Sequence, residues 1–176
     1  MDNKQIKINE ISRKIGTLMT LAGIKTVNNS INDFTDTEGD FNRFKSAMNF
    51  LNIPVSELDS KYYFTSFENW QKIMDTINPI TAEINWLADR RDCDKRAMFV
   101  TAMVSFYFEI NTCRPVYCYV YRVNDGQFAY AHYANIFVDD LNRVWLWDAD
   151  EKGEFTRITS LNPVINNKKY VLKSIK

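Results

Sequence analysis

The apolar period of this chain changes once, near Pro115, and that change limits the folds open to it. Up to Phe108 apolar residues recur at steps of three and four, the spacing that lines one side of a helix. From Val116 they alternate: Val116, Cys118 and Val120 on one side, Tyr117, Tyr119 and Tyr121 on the other. Asn124-Asp125-Gly126 reads as a hairpin turn, "QFAYAHYANIFV" as a second strand and "RVWLWDAD" as a third, with "DDLN" between them. Weaker strand signals lie at Phe155 to Ile158 and Tyr170 to Leu172. Helices first and an antiparallel sheet afterwards predict an α+β fold.

The helical part divides further. Ile11, Ile15, Leu18 and Ala22 form one stripe with Gly23 as its stop, and "FNRFKSAMNFLNIP" reads as a second helix ended at Pro54. "TSFENWQKIMDTI" is a third, stopping before Pro79, and "PITAEINWLADRRD" starts a short fourth with proline in its first turn. Between them Asn28 to Asp40 is a polar, acidic loop. A calcium-binding reading of it fails on register, since Gly39 at the sixth position of such a loop puts Phe34 at the first ligand position.

A length of 176 residues with 45% hydrophobic content predicts one domain spanning residues 1–176. Its parts are a helical portion over 1–80, a core over 81–150 and C-terminal strands over 151–176. Basic and acidic residues cancel at 22 each, which argues against nucleic acid or an anionic membrane as partner. The polar start "MDNKQIKINEISRK" lacks a signal-peptide core, and the apolar run Ala97 to Phe108 is too short to span a bilayer, so the expectation is a cytoplasmic protein. Cys93, Cys113 and Cys118 are then expected as reduced thiols. With one histidine and no C-x-x-C, no metal or other cofactor is expected.

Chemistry concentrates at "RRDCDKRAMFV", Arg90 to Val100, where a thiol sits among six charges just ahead of an apolar helix. Asp92 is a candidate N-cap that would put Cys93 in the first helical turn, where unpaired N–H groups favour a thiolate. Cys93 also shares a stripe with Ala97, Val104 and Phe108. A nucleophilic thiol needs an imidazole to move its proton and a third group to orient that imidazole. His132, the only histidine, lies on the second strand. If the loop around Asp139 to Asn142 has an odd number of residues, His132 lies across from Asp148, or from Asp150 with the loop moved one residue along; an even loop presents Ala149 instead.

The run "NWLADRRDCDKRAMFVTAMVSFYFEINTCRPVYCYVYR" followed by "AHYANIFVDDLNRVWLWDAD" resembles the core of the transglutaminase-like superfamily. The likeness covers Trp86 to Asp150 and rests on "DCDKRA", on His132 within a strand and on Asp148 near the end of the next. It implies a papain-like fold and a Cys-His-Asp triad of Cys93, His132 and Asp148. The activity implied is that of a cysteine hydrolase (a peptidase or amidase) or acyl transferase acting on an amide bond of a peptide or protein. The alternative expectation is a catalytically silent module of the same fold, a structural or binding subunit with protein partners in a larger assembly such as a virus particle.

Overall fold

The structure, a computed structural model, describes residues 38–82, 92–151, 153–160 and 162–175. The stripe from Ile11 to Ala22 and the body of the expected fourth helix, over 83–91, lie outside the described residues, as does most of the acidic loop. That loop's last residues form β1 (Glu38–Gly39), paired antiparallel with β2 (Tyr62–Tyr63).

Helix α1 (Phe41–Met48) begins where the Asp40 side chain accepts the Arg43 N–H at 2.9 Å, the geometry of an N-cap. It tightens into a 3-10 turn (Asn49–Leu51) and ends at Asn52 in the left-handed region (φ 47°), two residues ahead of Pro54. Helix α2 (Phe67–Ala82) corrects the expectation of a stop before Pro79, because it runs through that proline. The residue falls in the last turn, and the buried stripe Trp70, Ile73, Met74, Ile77 and Ile80 continues past it. Burying Ile80 offsets the lost N–H. The proline is thus not the first residue of a separate helix. Helix α3 (Cys93–Phe108) starts and stops as the periodicity predicts, closing at Glu109 with φ 57°.

Five further strands plus the long β3 make one antiparallel sheet: β3 (Cys113–Arg122), β4 (Phe128–Val138), β5 (Val144–Asp148), β6 (Glu154–Arg157), β7 (Val164–Ile165) and β8 (Lys168–Ile175). Their order is β6-β5-β4-β3-β8-β7, and the outer strands β6 and β7 approach each other, so the sheet curls toward a barrel. Asn166 and Asn167, both at positive φ, turn β7 into β8. Pro115 lies inside β3, one position before the pairing with β8 begins at Val116. The architecture is α+β.

Two cores follow from the two sheet faces. The inner face carries Val116, Val120, Ile136, Leu146 and Leu172, closed off by Phe44, Tyr62 and Phe64. The outer face carries Cys113, Phe137 and Trp147, covered by Trp70 and Ile73 of α2 and Val100, Val104 and Phe108 of α3. The remaining outer aromatics are not sealed: Tyr117, Tyr119, Tyr121 and Tyr133 are half-buried, and Phe128 is 55% exposed. Trp145, by contrast, stacks on Phe67 at 3.8 Å between ring centres.

Candidate active site

Alternation along β4 puts His132 on the inner face, directly across β3 from Cys118. Helix α3 lies on the outer face, where the Ala97 carbonyl accepts Asn135 Nδ2 at 2.9 Å. A completely paired sheet would keep the two apart. The β4–β5 ladder, however, ends at Asn135 opposite Trp147, while β4 continues back to Phe128. It is over this stretch, free of β5, that the start of α3 meets β4, and the Cys93 thiol comes near enough to the His132 imidazole to act on its charge.

The other side of the imidazole is held by a carboxylate. His132 Nε2 lies 2.8 Å from Asp148 Oδ2, and both side chains are almost completely buried. The connection Asp139 to Arg143 contains five residues, an odd number, so Asp148 falls on the His132 face. The register is the one with the loop moved one residue along, which extended would set Asp150 across from His132, and Asp148 follows Trp147 just past the end of the ladder. It therefore reaches His132 diagonally, a span within range of these side chains. Asp150 is not opposite His132 either, since the chain leaves the strand into a 3-10 turn (Ala149–Glu151) and turns Asp150 outward to an ion pair with Arg96 of α3.

Asp148 is saturated with donors. Its Oδ1 accepts the Asp150 backbone N–H at 2.9 Å, and its Oδ2 accepts the Tyr170 hydroxyl at 2.7 Å as well as His132. Burial alone would raise its pKa, but the hydrogen bond and charge of His132 and the bond from Tyr170 outweigh it and hold the carboxyl below its ordinary range. Burial likewise opposes charge on His132. Hydrogen bonds to Asp148 and Cys93, with the charges of both, prevail and lift the imidazole to about 10. Both directions describe one ionised pair.

Of the six charges around Cys93, Arg90 and Arg91 lie outside the described residues, and the other four are engaged in ion pairs. Asp92 occupies the N-cap position in extended conformation, but its side chain does not cap the helix; it accepts Lys95 Nζ at 2.9 Å, and Asp94 accepts the same ammonium at 3.0 Å. Arg96 is committed to Asp150. The Cys93 N–H is therefore one of the first-turn donors to which an α-helix gives no intrahelical acceptor, as expected. All three cysteines are free thiols, Cys93 partly exposed and the others buried. Burial pushes Cys113 up to about 12 and raises Cys118 further.

Donor atoms of His132, Asp148 and Asp150 lie within 4.8 Å of one another. Each is already engaged by a neighbouring side chain, so we assign no metal to them. Sequence reasoning missed Tyr170, which arrives from β8, 22 residues beyond Asp148. Parity with Leu172, on the same weak strand, was the one available signal that its ring faces inward. No family model, curated protein or solved structure matches this chain.

Proposed function

We propose that the protein is a cysteine hydrolase or acyl transferase of transglutaminase-like, papain-like type, acting on an amide or peptide bond through Cys93, His132 and Asp148. One observation carries the reading: a partly exposed thiol at a helix start acts on a buried imidazole whose Nε2 is bonded to a buried carboxylate at 2.8 Å. With Nε2 committed to Asp148, Nδ1 is the nitrogen left to exchange a proton with sulfur.

In the first half-reaction the Cys93 thiolate attacks the carbonyl carbon, a C–S bond forms and the oxygen takes the negative charge. Donors in the first turn of α3, the Cys93 N–H among them, would stabilise such an oxyanion. His132 passes its proton to the leaving nitrogen as the C–N bond breaks, leaving a thioester. Water or an amine then attacks that thioester and gives its proton to His132, and the thiolate departs. Water makes the net reaction hydrolysis, and an amine makes it transfer.

The test uses iodoacetamide alkylation at neutral pH. Cys93 should label at least tenfold faster than buried Cys113 and Cys118, and His132→Ala should slow it about tenfold while the far-ultraviolet circular dichroism is retained. A Cys93 that labels no faster than the other two, with no response to His132→Ala, would leave the fold as a binding or assembly module.

A further inference from the structure

We infer that Tyr170 is a positioning residue of this site, its hydroxyl pinning the Asp148 oxygen that orients His132; the inference rests on the catalytic reading above. Tyr170 is fully buried, and its hydroxyl donates to Asp148 Oδ2 at 2.7 Å, the same oxygen that meets His132 Nε2. The backbone Asp150 N–H fixes Oδ1. With both oxygens tied, the carboxylate has one orientation, and the imidazole inherits it.

The ring itself is held in turn. Tyr170 is the cross-strand partner of Val120, its N–H donates to the Pro163 carbonyl at 2.9 Å, and its ring lies 6.3 Å from the imidazole. The phenol stays protonated because burial, first, and then the Asp148 charge raise its pKa. It is therefore a donor across the working pH range. A buried tyrosine kept only for packing would not need its hydroxyl on the one carboxylate oxygen that touches histidine.

Several other titratable groups surround the His132, Asp148 and Tyr170 cluster. Cys118 of β3 and Cys93 of α3 approach the His132 side. Glu151 and Lys168, paired with each other, and Tyr130, whose ring packs edge-on against His132, lie on the Tyr170 side. Asp150 is neutralised by Arg96. None of these donates to Oδ2, so removing the Tyr170 hydroxyl isolates its contribution.

Because His132 is the single histidine, its ring Hε2 proton is one assignable NMR signal, and the pH at which it is lost on acidification reports protonation of Asp148. Tyr170→Phe removes a hydrogen bond to a charged acceptor and should move that midpoint up by about one pH unit. It should also slow Cys93 alkylation several-fold at pH 7. Should Tyr170→Phe fail to fold, 3-fluorotyrosine placed at position 170 keeps the shape, donates more strongly and should move the midpoint down. An unchanged midpoint in the protein that folds, whether read as loss of Hε2 or as acid unfolding, overturns the inference. His132→Ala alkylation separates the two failures: if it slows Cys93 while the Tyr170 variants shift nothing, only the role of Tyr170 falls.

Discussion

Asp148 and Asp150 share a side of the chain by parity, yet only Asp148 reaches the imidazole, because the backbone turns out of the strand between them. The two should therefore respond differently to loss of charge. Asp148→Asn removes the buried partner of His132, so the imidazole pKa should fall from about 10 toward 6.5, and stability should drop by about 3 kcal/mol. Asp150→Asn breaks a partly buried pair with Arg96 and should cost less, about 1–2 kcal/mol, with the histidine titration in place. NMR titration of the one imidazole and urea unfolding at pH 6 check both outcomes. The same scale bears on the charged setting of Cys93: Asp92, Asp94 and Lys95 satisfy one another, so among the described residues the dipole of α3 and the imidazole are the polar influences left on sulfur.

The turn that delivers Asp148 depends on Asp139. This side chain is fully buried, and it accepts the backbone N–H groups of Leu141 and Arg143, the Arg143 guanidinium and the Trp145 indole. It thereby fixes five residues between β4 and β5, and with them the face on which Asp148 emerges. Asp139→Ala would leave four partly buried donors without their acceptor and should cost about 2 kcal/mol or more in urea unfolding. Deleting Asn142 should be worse. An even connection turns every β5 side chain to the opposite face, so any protein that still folds should lose the downfield His132 Hε2 resonance along with fast Cys93 labelling. A protein that kept both would show that β5 register does not set the site.

At the scale of the molecule the curled sheet buries the His132–Asp148 pair between its inner core and the start of α3, and this ties stability to pH. His132 has a folded pKa raised above 6.5, so its contribution is complete below pH 6.5 and is lost as pH rises toward 10. Asp148 has a lowered folded pKa, so its contribution is present above 3.8 and is lost as pH falls below that. Stability should plateau between pH 4 and 6.5 and decline steadily to pH 10. The alkaline decline should flatten in His132→Gln. Urea midpoints measured at intervals between pH 5 and 9 decide it, and an equal slope in both proteins would mean that other groups control the pH dependence.

The elements were legible in the sequence wherever side-chain period carried them. The stripe from Cys93 to Phe108 specified α3 to its first residue, and the alternation after Pro115 specified the central strands, because these patterns reflect which face is buried. Single residues misled where packing outweighed propensity: Pro79 reads as a stop, but Ile80 is buried beyond it. Cys93, His132 and Asp148 were identifiable as residue types in order. Their meeting was not, since it requires β5 to end before β4 does, Asp139 to hold an odd connection and Asp150 to be drawn off by Arg96. Of Tyr170 the sequence offered only its inward parity, because what brings it to Asp148 is the pairing of β8 with β3, which sets it across from Val120, fifty residues earlier in the chain. Local pattern set which faces are buried, and the tertiary pairing of strand ends decided which polar groups share that burial.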